Sequence, residues 1–278
     1  MKGLPDFLIV GTQKGGTTWL EHQLGQHADV FTPRRQLHFF DRNFDKGLTW
    51  YKEQFLNHGP DQAVGEKTTE YFDTVHGDEV ALRIARSVPD ARLIVILRNP
   101  VDRAISAFSH MVNSGLQPIP KDPNADMFRD QQLDDGKGWR YIERGYYAQQ
   151  LEALYRHIPA DQILVLIFEH DIIADPQGCW KKVCRFLDIK VTEPSPELGQ
   201  KVNTLRLSPP AIWLSRVLYS VPRARGIIRR LDRMIGLKPW TPKISQDTRE
   251  RLAQIYGPHN RALAKQLGRD LSIWEASR

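Results

Sequence analysis

The sequence predicts an α/β protein of the P-loop type, with a three-layer domain in which helices cover both faces of a central parallel sheet. Three continuously apolar runs are typical of strands that are buried on both faces: Phe7–Val10, Leu93–Leu97 and Ile163–Phe168. Amphipathic segments separate these runs, and alternating strands and helices favour a parallel sheet. A glycine-rich turn after the first run supports the same class, because it joins a strand to a helix.

The connecting segments complete the predicted order of elements. Five stretches have helical periodicity: Thr18–Leu24, Glu79–Ser87, Val101–Val112, Gly145–His157 and Pro176–Leu187. Between the third and fourth lies Gln117–Gly138, which is polar, rich in proline at its start and acidic at its end, and we expect a mobile loop there. We expect residues 1–278 to form a single domain.

Composition restricts the possible classes of protein. The net charge of +6 and the pI of about 9.3 suit an anionic ligand, but the chain lacks zinc-finger spacing, RNP-type aromatic motifs and long basic runs, so we expect no nucleic-acid partner. Cys179 and Cys184 are five residues apart in a helical segment, and we interpret them as reduced, buried thiols. The N-terminal residues have no apolar signal core, and no apolar run reaches 18 residues; we therefore expect a cytoplasmic protein without a transmembrane segment.

The segment FLIVGTQKGGTTWLEHQL, residues 7–24, predicts an anion site at the start of a helix. The ATP/GTP pattern G-x-x-x-x-G-K-[ST] does not fit, because Thr17 stands where the lysine belongs and Lys14 comes three residues earlier. ATP and GTP enzymes also need an acidic residue after a later strand. Here the strand LIVIL ends in Arg98 instead, which favours direct binding of a second phosphate without a metal.

The second anion site consists of Arg98 and the helix that follows it. Pro100 suits the first helical position, and Ser106 lies two turns further on the side near Arg98. Together the two sites indicate a nucleotide with phosphates at both ends of its ribose. Structural alternatives stay open: Arg98 could pair with a carboxylate, Ser106 could be a small packing residue, and Lys14 could be a solvated loop lysine.

Five groups of motifs then resemble sulfotransferases that use 3′-phosphoadenosine 5′-phosphosulfate (PAPS), in particular the heparan-sulfate-type branch and its bacterial relatives. They are QKGGTTWL; RRQLHFFDR with GLTWYKEQF; GEKTTEYF; LRNPVDRAISAFSH; and RGYYAQQLEAL with the closing GPHNRALAKQLGRDLSIW. The resemblance extends from about Pro5 to Trp274, and only Val202–Pro239 lacks a clear match.

The resemblance implies a role for each matching residue. Lys14 would neutralise the oxygen that bridges sulfate and phosphate, and Lys67 would lie near the sulfuryl group and the acceptor. Arg98 and Ser106 would hold the 3′-phosphate. Backbone and hydroxyl donors to the 5′-phosphate would come from Gly15, Gly16, Thr17 and Thr18. The structural alternative for Lys67 is a salt bridge to Glu66 or Asp73.

The expected general base is missing from its position in the motif. The heparan-type branch has a glutamate two residues before its histidine, whereas this chain has Gln36 before His38. Glutamine orients an acceptor but does not take up a proton at neutral pH. His38 could be the base or a structural histidine; the acceptor could be acidic, such as a phenol; or the chain could be a natural or engineered low-activity form. Glu70 and His110 are further candidates for the base.

The functions of two segments stay undecided. In the family a loop closes over the 3′-phosphate and adenine, for which Lys201, Asn203 or Arg206 could serve here. Ala211–Leu237 carries six arginines and one acid among apolar residues. It fits an amphipathic helical pair packed on the domain, or a lid or surface that meets an acidic or lipid-like acceptor, including peripheral contact with a membrane.

The sequence therefore predicts a PAPS-dependent sulfotransferase that releases adenosine 3′,5′-bisphosphate (PAP) and needs no metal. Its rivals are a P-loop kinase or NTPase and a non-catalytic nucleotide-binding relative that has lost its base. The acceptor could be a carbohydrate, lipid, phenol or peptide. The aromatic residues His38–Phe40 and Trp50–Tyr51 could stack on sugar rings, but such residues more often belong to the core.

Overall fold

In a computed structural model, five parallel strands form a sheet that is covered by helices in a three-layer α/β arrangement, as the sequence predicts. The strands are β1 (Phe7–Gly11), β2 (Val30–Phe31), β3 (Ala63–Lys67), β4 (Arg92–Leu97) and β5 (Ile163–Ile167), in the spatial order β2-β3-β1-β4-β5. The structure describes residues 3–33, 35–59, 62–73, 76–129, 139–194, 206–221 and 223–275.

Eleven helices lie in the described residues, and all five predicted helical segments are confirmed to within a few residues. They are α1 (Thr17–Gly25), α2 (Phe39–Arg42), α3 (Gly47–Glu53), α4 (Gly77–Ser87), α5 (Pro100–Asn113), α6 (Pro123–Arg129), α7 (Tyr147–Tyr155), α8 (Pro176–Leu187), α9 (Pro209–Val217), α10 (Ala224–Ile235) and α11 (Gln246–Leu267). The expectation of a loop over residues 117–138 is wrong in part, since α6 lies inside it; residues 130–138 are outside the described part of the chain.

The chain divides into two compact units. The first comprises residues 1–99, 146–202 and 259–269 and contains the whole sheet. On one side of the sheet, alternate side chains of β1, β4 and β5 form an apolar core with α1 and α8, including Ile9, Trp19, Leu20, Leu166 and Trp180. Because β1 pairs with both β3 and β4, their carboxyl ends meet at one edge, where open parallel sheets bind ligands.

The second unit comprises residues 100–145, 203–258 and 270–278. Its small apolar core joins α5, α9 and α10 through Val112, Leu207, Ile212, Ala224 and Ile228. The amphipathic helical pair expected within residues 211–237 is thereby confirmed. The expected single domain stays a prediction.

The two thiols are free and buried, as predicted. Burial raises the pKa of Cys179 to about 12 and that of Cys184 to about 11, so both remain protonated at neutral pH. Within the described residues, no helix is both long enough and apolar enough to cross a bilayer. The expected cytoplasmic location stays a prediction.

Candidate active site

The loop between β1 and α1 has the geometry of an anion cradle. Gly16 caps the helix with φ of 111°, and a Cβ at this position would lie 2.7 Å from the ring of Phe168, so both the conformation and the space require glycine. The first N–H groups of a helix have no intrahelical partner, and here they belong to Thr17 and Thr18. These groups can bind a phosphate.

Gly15 has a packing part in this loop, and its predicted role at the 5′-phosphate stays a prediction. Its N–H donates to the carbonyl of Thr12 at 2.9 Å, so that donor is already used within the loop. A Cβ on Gly15 would lie 2.4 Å from the carbonyl oxygen of Ile96. Gly15 therefore lets the loop pack against β4, and the donors that remain for a phosphate are those of Gly16, Thr17 and Thr18.

The two predicted cations of the first unit lie side by side at the carboxyl edge of the sheet. The guanidinium of Arg98 donates to the carbonyl of Lys14 at 3.4 Å. Burial and the charge of Arg98 both lower the pKa of the Lys14 amine. Neighbouring cations repel each other, and an anion bound between them relieves that repulsion. The geometry therefore favours a phosphate or sulfate ligand.

Two aromatic residues hold Arg98 in place. The hydroxyl of Tyr147 donates to the backbone carbonyl of Arg98 at 2.9 Å, and the Arg98 guanidinium lies 5.2 Å from the centre of the Phe168 ring. Its Nε is buried without a hydrogen-bond partner among the described residues. Phe168 also packs against Gly16, so one aromatic ring supports both halves of the anion site.

Lys67 ends β3 at the same edge and forms an ion pair with Glu21 of α1. Glu21 is a partner that the sequence does not suggest, since the sequence offers the carboxylates of Glu66 and Asp73. Glu66 is fully buried, and it accepts hydrogen bonds from the hydroxyls of Tyr51 (2.7 Å) and Tyr71 (2.8 Å). Burial raises the pKa of the Glu66 carboxyl. Glu66 is therefore a core residue, and Lys67 points to the other side of the strand.

The aromatic residues beside His38 belong to the core. Phe39, Phe40 and Tyr51 are completely buried, and the rings of Phe39 and Tyr51 stack at 4.2 Å. Stacking of a sugar on these three rings is excluded.

Gln36 is exposed and is oriented by the segment after β3. Its Oε1 accepts from the backbone N–H of Thr69 at 3.0 Å and lies 3.3 Å from the Thr69 hydroxyl. The same hydroxyl lies 3.0 Å from a carboxylate oxygen of Glu70. Thr69 thus connects the position of the missing glutamate to a neighbouring carboxylate.

His38 forms a dyad with Asp41. Its ring Nδ1 lies 2.9 Å from Oδ2 of Asp41, and its backbone N–H donates to the hydroxyl of Thr68 at 3.3 Å. A carboxylate on Nδ1 favours the tautomer with the proton there, which leaves Nε2 as the acceptor. In the described residues Nε2 has no hydrogen-bond partner. This arrangement supports His38 as a base rather than as a purely structural residue.

The other predicted residues belong to the second unit or fall outside the described residues. Ser106 and His110 lie on α5 in the second unit, and the partnership of Ser106 with Arg98 stays a prediction. Arg206 is exposed at the start of the segment that leads into α9. Lys201 and Asn203 are outside the described residues.

Comparison with known proteins identifies the family. A sulfotransferase domain matches residues 4–207, which is most of the chain. The chain belongs to the sulfotransferase family. Heparan sulfate glucosamine 3-O-sulfotransferase 3B1 of Homo sapiens is 36% identical over 195 residues, which is 68% of this chain and 47% of that protein. Heparan sulfate glucosamine 3-O-sulfotransferase 6 of Homo sapiens is 32% identical over 273 residues, or 96% of this chain and 72% of that protein.

The fold of the family is shared as well. The crystal structure of a sulfotransferase from Alicyclobacillus acidocaldarius matches with a TM-score of 0.68 and 25% identity, covering 97% of this chain and 98% of the other. Of the curated relative named first, heparan sulfate glucosamine 3-O-sulfotransferase 3B1, the chain spans less than half the length.

Sequence reasoning missed the residues that hold the predicted ones in place. Asp41 follows His38 by three positions at the start of a helix, a spacing at which side chains meet, and this signal could have been used. Glu21 lies one turn into the helix that begins at Thr17. Tyr147 and Phe168 carry no comparable signal, because their contacts with Arg98 arise only through the packing of α7 and of the segment that follows β5.

Proposed function

We propose that this chain transfers a sulfuryl group from PAPS to a hydroxyl or amine and releases PAP. The observation that carries the proposal is the contact of Lys14 with Arg98 at the sheet edge, where a nucleotide kinase would have a loop lysine followed by a magnesium-binding carboxylate. Two adjacent cations suit a donor that carries two separate anionic groups. Membership of the sulfotransferase family supports the same donor.

The loop binds the anionic end of the donor. Backbone N–H groups of Gly16, Thr17 and Thr18 hold the 5′-phosphate at the positive end of α1. Arg98 holds the 3′-phosphate, and Ser106 is proposed to assist it. Donor discrimination then rests on the second phosphate, which ATP lacks at this position.

Lys14 stabilises the leaving group. The donor supplies a sulfuryl group whose departure leaves negative charge on the phosphate oxygen, and a protonated amine beside that oxygen lowers the barrier. Lys67, held by Glu21, is proposed to contact the transferred group from the neighbouring strand. Lys67 ends β3, and Lys14 lies in the loop after β1, which pairs with β3 in parallel. Both cations therefore approach the reacting centre from the same edge of the sheet.

His38 takes the acceptor proton. Asp41 holds Nδ1, so that Nε2 accepts the proton as the new bond to sulfur forms. Gln36 orients the acceptor through its amide, since its carbonyl oxygen is occupied by Thr69. The names of the two relatives favour a carbohydrate hydroxyl as the acceptor. Gln36 also favours one second candidate, a nucleotide-binding relative without catalysis.

Calorimetric titration of PAP, compared with ATP and Mg²⁺, tests the donor site. We expect metal-independent binding of PAP that Arg98→Gln weakens about tenfold to a hundredfold, the usual cost of losing a hydrogen bond to a charged group. Arg92→Gln is the matched control, because Arg92 begins the same strand at its opposite end. Preference for Mg-ATP, or equal loss in both variants, would reject the PAPS site.

A transfer assay with PAPS separates the two candidate functions. Release of PAP that depends on a glucosamine-containing oligosaccharide, and that continues after EDTA treatment, is the expected result. Tight PAP binding without turnover on carbohydrate, phenol, lipid or peptide acceptors would favour the non-catalytic relative.

A further inference from the structure

The helix α10 presents a basic surface to solvent. Arg229, Arg230 and Arg233 are exposed and line a shallow hollow together with Gly226 and Met234. In the described part of the chain none of these three arginines forms an ion pair. We call these three residues the arginine cluster.

The acid on this helix does not neutralise the cluster. Asp232 faces the interior of the second unit, where its carboxylate accepts from the N–H of Ser208 at 3.1 Å and from the Ser208 hydroxyl. Asp232 is thereby bound to the start of α9. The outward charge of α10 is therefore carried by arginine.

Large apolar side chains are exposed beside the arginine cluster. On α10, the exposed fractions are 60% for Ile227, 75% for Met234 and 66% for Ile235, and Leu231 completes the row. Residues 227, 231 and 234 share one helix face because they are spaced by four and three positions. On α9, Trp213 is 64% exposed, and Val217 lies one turn further on the same face. We call these six residues the apolar row.

The apolar row is separate from the face that the fold uses. Ala224 and Ile228 of α10 are buried against Ile212 and Leu207, and they already provide the contact with the rest of the unit. The helix therefore has a buried apolar face, an exposed apolar row and an arginine cluster. Tyr219 adds an amphipathic aromatic ring, with the guanidinium of Arg225 4.0 Å from its centre.

We propose that α9 and α10 dock this protein on an anionic lipid surface. Arginine beside exposed isoleucine, leucine, methionine and tryptophan is the composition of helices that lie in the interface of a bilayer. The arginine cluster contacts lipid phosphates, and the apolar row enters the acyl boundary. A soluble polyanion would use the arginines and leave the apolar row in water, whereas a bilayer uses both.

Sedimentation with lipid vesicles tests the proposal on the full chain. One vesicle type contains phosphatidylcholine alone, and the other contains phosphatidylcholine with phosphatidylglycerol. We expect binding to the anionic vesicles and about 100-fold weaker binding of Arg229→Gln/Arg230→Gln/Arg233→Gln, given the usual contribution of each basic side chain near an anionic surface. Lys181→Gln/Arg185→Gln/Lys190→Gln is the matched control, because it removes the same charge from exposed positions on and after α8.

A double variant tests the apolar row. Ile227→Ser/Met234→Ser keeps every charge, and we expect it to weaken vesicle binding at least about tenfold, as expected for two apolar side chains that leave the acyl boundary. Its binding to immobilised heparin should not change. The proposal is wrong if the wild-type chain does not bind anionic vesicles, if the α8 control loses as much as the α10 variant, or if the serine variant binds vesicles like the wild type.

Discussion

Nη1 of Arg98 lies 3.4 Å from the carbonyl oxygen of Lys14 and donates a hydrogen bond to it. The contact joins the end of β4 to the loop after β1 and keeps two cations together in a half-buried place. Burial and the neighbouring guanidinium both lower the pKa of Lys14. The Lys14 amine and the Arg98 guanidinium therefore repel each other in the free protein, and an anionic ligand relieves this repulsion.

Lys14→Met is expected to lower kcat about 10²–10³-fold, since it removes the charge that stabilises the leaving oxygen. The same change should raise the free energy of unfolding of the ligand-free protein at neutral pH. A lysine whose pKa is lower in the folded state opposes folding while it is protonated, and methionine has no charge to repel Arg98. Chemical denaturation and initial rates measure the two effects. A destabilised variant, or one with unchanged kcat, would contradict this role.

The affinity for PAP should fall as the pH rises through the lowered pKa of Lys14. Anion binding favours the protonated amine, so the affinity is greatest below that pKa and declines above it, in a window that begins below the ordinary lysine value of 10.5. Titrations between pH 7 and 10 by calorimetry measure the effect. Lys14→Arg keeps its charge over this range and should bind with a flat profile. An identical slope in both proteins would assign the pH dependence to another group.

The dyad of His38 and Asp41 should act as one unit in catalysis. We expect His38→Ala to reduce kcat about 10²–10⁴-fold, the usual contribution of a general base. Asp41→Asn should reduce kcat as well, with little change in KM for PAPS, because an amide can present its NH2 group to Nδ1 and so no longer fixes the tautomer. His157→Ala is the matched control, since His157 also contacts an aspartate, Asp78, at 3.2 Å. Full activity of both dyad variants would leave His38 as a structural residue.

Gln36→Glu should keep the fold and preserve or raise the rate. A carboxylate oxygen can still accept the N–H of Thr69 at the position of Oε1, and the second oxygen becomes available to take up a proton. The pH–rate profile should then gain an acid limb. Gln26→Glu adds the same charge at the exposed end of α1 and serves as the control. If the Gln36 change reduces the rate strongly while the control does not, the amide N–H groups of Gln36 are required.

The strand β3 shows where prediction of the fold fails. Its sequence AVGEK contains a glycine and two charged residues, and it lacks the apolar run that identifies the other long strands. Gly65 is required because a Cβ there would lie 2.3 Å from the ring of Phe7 on β1, and Glu66 is tolerated because Tyr51 and Tyr71 satisfy it. Both reasons involve residues distant in the sequence.

By itself, the sequence determined the class of this protein and the positions of its anion-binding elements. Apolar runs, a glycine loop and a basic strand end are local features, and they suffice to place Lys14 and Arg98 at the same edge of a parallel sheet. Only the tertiary structure decided what holds these residues. The partners Glu21, Tyr147 and Phe168 meet the site through packing of separate elements, and burial and the neighbouring guanidinium there lower the pKa of Lys14. A pKa depends on the surroundings in space, which residue spacing does not encode.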